Sequence, residues 1–487
     1  DRQPRNATRA SIPAAAGEYL PPTRPTGPPR GRPVTVRVDV THPGPATPSD
    51  FLGLSFEAAA LPQLAELAQG SDLIAMLRSL GGGVLRIGGL SADKYVAYVA
   101  PGFGRPPWAR AVISAEDLRG LATLARATGW GVLLTVNAAH EEPQRAAQEA
   151  LQASRILGGA LIGISIGNEP DRYQLDELRA PGWGFARYAA EYRAYRRAIA
   201  RRAPGVSLAA PDASSGTSVL PWVRAAAATL RPSLLTDHYY PLTRCGGTTV
   251  STAQLLGAGV QRAESAMLAA LAAIQRASGH RLRLDETNNV SCHGQSGVSN
   301  TFAAALWGVD WIARVMGSGI AGLNLHDLLA EPQAYSPLVL NSPGGGASGG
   351  ANGVRANPEW YALLATANLA GDRPLPATAL AAAGLSVAAF AAPSGTIRVV
   401  LVNNGTSSGP LLVRLRLPSR FLAGPILRLT GPAASATEGV RLGGSEVSSS
   451  GTWSAATPLP RMYGAPGGLS LEMPPHSAAV ATLPARP

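Results

Sequence analysis

Eight short apolar runs, separated by Ala-rich stretches of helical periodicity, constrain the fold of this chain more than any other feature. The runs are 50–57 (DFLGLSFE), 83–89 (GVLRIGG), 131–137 (GVLLTVN), 161–167 (LIGISIG), 207–212 (SLAAPD), 234–240 (LLTDHYY), 281–286 (RLRLDE) and 320–326 (IAGLNLH). Helical patterns lie between them, as at 141–157, 184–203, 253–278 and 301–316. Strands that alternate with helices indicate βαβ units and a parallel sheet. Eight such units predict a closed (β/α)8 TIM barrel over residues 45–373.

After about residue 371 the pattern changes to short alternating segments and turn signals, such as 396–403 (TIRVVLVN) and Asn404-Gly405. An antiparallel β-sandwich is expected over 374–487. Residues 34–40 (VTVRVDV) alternate in the same way, so an N-terminal strand within 34–44 is expected to complete that sandwich. Residues 1–33 are rich in Pro, Arg and Ala without periodicity, as in a disordered lead-in or linker. Gly and Pro number 55 and 41 of 487 residues, about a fifth. That lies below the ~25–30% of low-complexity chains, so a disordered or fibrous protein is excluded.

The formal net charge is +11, and Lys94 is the sole lysine. No basic run interleaved with aromatics appears, so nucleic acid is not an expected partner. An acidic saccharide remains compatible with the charge. No apolar run approaches the ~18–20 residues of a membrane span. The first residue is Asp1 and no signal peptide is visible, which reads as a start after processing or trimming.

Active sites of such barrels lie at the C-terminal ends of the strands. The fourth run ends in Gly167-Asn168-Glu169-Pro170 and the seventh in Asp285-Glu286-Thr287-Asn288. These strands face each other across the mouth, and two opposed carboxylates are what glycoside hydrolysis requires. Arg86 on the second run is expected to hold Glu286 ionised by charge pairing. The sixth run ends in Asp237-His238-Tyr239-Tyr240, where a tyrosine hydroxyl can reach Glu286, and the eighth in Asn324-Leu325-His326-Asp327. Competing motifs are weaker. Gly163-Ile164-Ser165-Ile166-Gly167 matches a nucleophile elbow, but Ser165 sits inside an apolar run rather than at a strand-to-helix turn. His140-Glu141-Glu142 lacks the second His of a zinc-protease motif, and neither a metal nor another cofactor is expected.

On Leu54-Ser55-Phe56-Glu57, Leu85-Arg86-Ile87-Gly88-Gly89, Ile166-Gly167-Asn168-Glu169-Pro170, Glu286-Thr287-Asn288 and the stretch from Gly297-Val298-Ser299-Asn300 to Ala305-Leu306-Trp307, the chain resembles the retaining glycoside hydrolases of clan A. More narrowly it resembles glycoside hydrolase family 79, the β-glucuronidase and heparanase family. The resemblance covers roughly residues 34–487. It implies Glu169 as acid/base and Glu286 as nucleophile, with Asn168 on the sugar 2-hydroxyl and with Tyr240 and His238 in support. It also implies Glu57, His326 and Tyr335 around the sugar; Asn137, Tyr239, His293 and Gly294 complete the expected substrate contacts. Ala58 and Leu90 stand where related enzymes carry polar residues.

The expected substrate is a β-linked glucuronic acid in an oligosaccharide, polysaccharide or glycoconjugate. Its carboxylate would be held near the seventh and eighth loops by backbone N–H groups and Tyr335. The alternatives are a clan A glycosidase acting on a neutral β-xyloside, β-glucoside or α-arabinofuranoside, and a non-catalytic carbohydrate-binding or wall-associated protein. Cys245 and Cys292 follow strands six and seven, so a disulfide is expected between neighbouring loops. It would close a loop of about 48 residues, worth roughly 4 kcal/mol in the chain-entropy picture, and implies a secreted or cell-envelope protein.

Overall fold

The computed structural model describes residues 28–486 except 71, 342–352, 381–383, 406–408 and 466–467. Most of the expected N-terminal lead-in therefore lies outside the described residues. Eight parallel strands close into a barrel: Gly53–Glu57, Val84–Gly88, Gly131–Val136, Leu161–Ile166, Leu208–Ala213, Leu234–Tyr239, Leu282–Thr287 and Gly322–Asp327. Each pairs with its chain neighbour, and the eighth closes on the first through Leu325–Leu54, His326–Ser55 and Asp327–Phe56. The eight runs of the sequence are these eight strands, here called barrel strands one to eight.

Local chemistry sets the connections. The helix Ala115–Thr128 starts at Ser114 in a reciprocal capping box with Asp117 and ends at Gly129, whose φ of 76° is left-handed. The expected helix at 253–278 is broken in two, Thr252–Leu255 and Ala258–Ser278, because Gly257 interrupts it in an extended conformation.

The C-terminal part forms two sheets. One has five strands, in the order Ala377–Leu380, Arg32–Val38, Leu411–Arg416, Gly468–Met473, Tyr463–Ala465. The other has six: Arg373–Leu375, Leu385–Ala391, Ile397–Asn403, Ser477–Leu483, Ile426–Thr430, Arg441–Leu442. The N-terminal strand does join this unit, running parallel to Leu411–Arg416. Between the sheets lies an apolar core that includes Val36, Val399, Leu401, Val413, Leu415 and Met473.

Strand Ile397–Asn403 reads as a near-continuous apolar run because both of its faces are covered. Val399 and Leu401 point into the sandwich, whereas Val400 and Val402 join the core that continues into the barrel. The helix Phe302–Ser318 fills that junction and is apolar around most of its circumference for the same reason. Its first N–H groups are capped by sandwich carbonyls, Phe302 N to Ala436 O at 2.7 Å and Ala303 N to Ala434 O at 2.8 Å.

Candidate active site

Arg86 projects from barrel strand two into the barrel and is 0% exposed. Its guanidinium is the hub of the mouth. Nη1 donates to Glu286 Oε2 at 2.6 Å and to Ser55 Oγ at 3.2 Å. Nη2 donates to Asn168 Oδ1 at 2.7 Å and to Asp212 Oδ2 at 3.2 Å, and Nε lies 3.6 Å from Asp285 Oδ2. One cation thus organises the ends of strands one, two, four, five and seven.

Glu286 is 7% exposed at the end of strand seven. Tyr240 donates its hydroxyl to Glu286 Oε1 at 2.9 Å, opposite the Arg86 bond on Oε2. Burial alone would raise this carboxyl. The His326 and His238 imidazoles, the Arg86 guanidinium and the Tyr240 hydroxyl outweigh it and hold Glu286 well below the usual carboxylate range. His238 lies beneath, its Nδ1 3.1 Å from Glu169 Oε1. Burial disfavours its charge, but Glu286, Glu169 and Asp285 push its pKa up to about 10.

Glu169 is set by a turn rather than by a strand. Gly167 and Glu169 are both left-handed, with φ of 82° and 47°. Gly167 is required twice over, since a Cβ there would lie 2.3 Å from the Tyr173 hydroxyl oxygen. Glu169 N donates to Asp212 O at 2.8 Å, and Asn168 N donates to Asp93 Oδ2 at 2.6 Å. The Glu169 side chain is 18% exposed, and Arg172 Nε lies 3.4 Å from its Oε2. Burial pushes the Glu169 carboxyl up; the His238 bond opposes this and the Glu286 charge adds to it, leaving the pKa raised. One carboxylate oxygen of Glu169 and one of Glu286 lie within 4.8 Å of each other.

A second group lines the side nearest strands one and eight. His326 Nε2 is 3.4 Å from Glu57 Oε1 and its Nδ1 is 3.0 Å from Ser55 Oγ. Ser91 N donates to Glu57 Oε2 at 2.8 Å. Gly89 is left-handed with φ of 68°, and a Cβ there would overlap the Glu57 carboxylate. Tyr335 packs against both Tyr240 and His326, with ring centroids 5.6 and 5.7 Å apart, and the His293 backbone N–H faces its hydroxyl. Gly294 passes under this loop so closely that a Cβ would meet Tyr335 N at 2.8 Å. Cys245 and Cys292 form the expected disulfide, with Cα atoms 5.5 Å apart.

Nine of the expected residues thus form one connected set: Arg86, Glu286, Asn168, Glu169, His238, Tyr240, His326, Glu57 and Tyr335. Three expected substrate contacts stand apart from this set. Tyr239 faces out of the barrel and stacks on Trp311 at 5.0 Å, because successive strand residues point to opposite faces and His238 points in. Asn137 spends its amide on the carbonyls of Ala92 and Asp93 and on His140 N. The side chain of His293 is 63% exposed and turned to Glu331; only its backbone faces Tyr335. Ser165 is no nucleophile elbow, for it lies within strand four and donates its hydroxyl to Asp212 Oδ1 at 2.9 Å.

Sequence reasoning missed Asp93 and Asp212. Asp212 was visible as an acidic residue at the end of the fifth run; Asp93 carried no local signal. Among the described residues, Glu169–His238–Glu286 and Asp212–His238–Asp285 each bring three ligand-type atoms within 4.8 Å. Arg86 lies within ion-pair distance of Glu286, Asp212 and Asp285, so its guanidinium occupies the side of these clusters that faces strand two.

No protein-family model matches the chain, and no curated protein does. Solved structures match over nearly its whole length. A 4-O-α-L-rhamnosyl-β-D-glucuronidase from Fusarium oxysporum 12S superposes with a TM-score of 0.72 at 17% identity, covering 92% of this chain and 100% of that one. The family 51 arabinofuranosidase of Xanthomonas axonopodis pv. citri gives a TM-score of 0.66 at 14% identity, covering 93% and 99%. A bifunctional glucanase-xylanase from a metagenome library gives 0.60 at 14% identity, covering 94% and 100%. At these identities the likeness shows a shared fold: a TIM barrel with an appended β-domain.

Proposed function

We propose that this protein is a retaining glycoside hydrolase of the clan A type that releases a β-linked glucuronic acid by double displacement. The observation that carries the reading is the pair of unlike glutamates at the mouth. One carboxyl is held anionic, the other is raised toward its acid form, and an oxygen of each lies within 4.8 Å of the other. A retaining pair sits about 5–5.5 Å apart, whereas an inverting pair needs ~6.5–9.5 Å to admit a water. The fold neighbours, all named as glycoside-cleaving enzymes, support the same class.

In the first step Glu286 attacks the anomeric carbon while Glu169 gives its proton to the departing oxygen. The glycosyl ester on Glu286 then reacts with water, whose proton returns to Glu169, and the sugar leaves with its configuration retained. Arg86 and Tyr240 hold the attacking carboxylate. Asn168 Oδ1 accepts from Arg86 Nη2, which leaves the Asn168 Nδ2 group for the sugar 2-hydroxyl.

The glucuronic acid reading rests on neutral donors near strands seven and eight, the Tyr335 hydroxyl and backbone N–H groups of the 291–297 loop, and on the rhamnosyl-glucuronidase neighbour. Donors built for a carboxylate are left unpaired by a neutral sugar, at about 1–3 kcal/mol each. Two such donors favour the acid by roughly 30- to 10⁴-fold. The test is kcat/KM for aryl β-glucuronide against aryl β-glucoside, β-xyloside and α-arabinofuranoside. Equal or faster turnover of a neutral glycoside would move the substrate toward that of the arabinofuranosidase or xylanase neighbours. No turnover of any of them would favour a carbohydrate-binding protein, and a product of inverted configuration would sink the mechanism. The disulfide suits an exported protein, and no described helix is long and apolar enough to cross a membrane.

A further inference from the structure

We infer that Asp93 is a positioning residue for the proton donor, acting through the Asn168–Glu169 turn; the inference rests on the reading of Glu169 as acid/base. Asp93 lies on the short helix Gly89–Lys94 that follows barrel strand two, and it is 1% exposed. Its carboxylate accepts four hydrogen bonds from two other loops. Oδ2 receives Asn168 N at 2.6 Å and the Tyr173 hydroxyl at 2.6 Å. Oδ1 receives Ala138 N at 2.8 Å and Ala139 N at 3.2 Å. Asn137 closes the junction from the other side by donating to the carbonyls of Ala92 and Asp93. The loops after strands two, three and four therefore converge on one buried carboxylate.

The place of that carboxylate gives it a task beyond packing. Glu169 occupies a left-handed conformation that non-glycine residues rarely adopt, next to a left-handed Gly167. Such a conformation persists only where its surroundings over-determine it. Three successive N–H groups of the turn are anchored, Gly167 N by the Val136 carbonyl, Asn168 N by the Asp93 carboxylate on the helix after strand two and Glu169 N by the Asp212 carbonyl. Tyr173, fixed by the same Asp93 oxygen, sits where any side chain at 167 would be. If the Asp93 anchor is lost, the turn can relax toward ordinary backbone, and the Glu169 carboxyl leaves the leaving-group oxygen. Asp93 lies behind Asn168 and touches no reacting atom, so its loss should fall most heavily on the step that needs a well-placed proton, with a smaller loss through Asn168 that both leaving groups share.

An amide at 93 has one acceptor oxygen and sets an NH₂ group against donors. The experiment compares wild type with Asp93→Asn, Tyr173→Phe and Glu169→Gln. Each is assayed on phenyl and 2,4-dinitrophenyl glycosides of whichever sugar is turned over, with kcat/KM referred to folded enzyme. Departure of dinitrophenolate needs no proton, whereas departure of phenolate does. Asp93→Asn is expected to lower kcat/KM for the phenyl glycoside by about 100-fold, the size of a misplaced catalytic group. For the dinitrophenyl glycoside the loss should stay within about fivefold, because glycosylation there draws little on the acid. Tyr173→Phe should shift the same ratio in the same direction by a smaller factor, and it carries the test should Asp93→Asn fail to fold. An equal loss on both substrates is what a merely structural residue would give, and it overturns the inference. A ratio that Glu169→Gln shifts but Asp93→Asn and Tyr173→Phe do not also overturns it, while sparing the acid/base reading. A ratio that Glu169→Gln leaves unmoved overturns both.

Discussion

The floor of the barrel mouth and the interior of the sandwich are equally buried and chemically opposite. Arg86, Asp212, His238 and Asp285 are as inaccessible as Val36, Val399, Leu401 and Met473. Both regions are built from strands whose alternate residues point inward. In the sandwich every inward residue removes apolar surface from water and asks nothing further of its neighbours. At the mouth every inward residue carries a desolvation cost that only a partner offsets, and the partners form one network around Arg86. The contrast teaches where to look for function: at buried groups whose presence makes no sense for stability alone. It also predicts that the two regions fail differently, the mouth losing chemistry and the sandwich losing stability.

The sharpest way to break that contrast is Glu286→Gln. It should lower turnover of every glycoside by at least about 10⁴-fold, as removal of a covalent nucleophile does. The fold should be retained, because the amide oxygen can still accept from Arg86, which keeps its ion pair with Asp212. Unfolding of this variant at ambient temperature would make the mouth a stability element and erase the distinction.

The next largest effect concerns the two glutamates themselves. Glu169→Gln should reduce kcat/KM about 10²- to 10⁴-fold for poor leaving groups and far less for activated ones. In wild type, kcat/KM should fall as pH rises through the raised pKa of Glu169, since only its protonated form donates. The fall on the acid side should come well below the ordinary carboxylate range, where Glu286 is protonated. In Glu169→Gln the alkaline limb that wild type shows on poor leaving groups should be absent from the residual turnover. Persistence of that limb would assign it to another group.

The smallest effect on chemistry should come from the sandwich. Leu401→Ala leaves a cavity between the sheets and should cost about 2–5 kcal/mol of stability. Turnover per folded molecule should stay at the wild-type value, as read by chemical denaturation beside kcat. A changed kcat would mean that the sandwich reaches the mouth through the helix Phe302–Ser318.

Much of this was legible in the chain. Periodicity located all eight barrel strands, since a strand buried on both faces has to be a short apolar run between helices. Strand ends then pointed to Glu169 and Glu286, because the barrel puts its chemistry there. Parity along strand six could also have separated the two tyrosines: with His238 inward, Tyr239 must face outward, and it stacks on Trp311.

What the sequence by itself determined, then, is the order of the elements and which residues stand at the mouth. Both are consequences of local periodicity. What only the tertiary structure decided is how those residues share charge and backbone donors. The Arg86–Glu286 pair was expected from the strand order, but Asp212 joins Arg86 from 126 positions along the chain, and Asp93 gathers donors from positions 138, 139, 168 and 173. A hydrogen bond or ion pair acts over about 3 Å whatever the separation along the chain, so these links left no trace in any window of sequence.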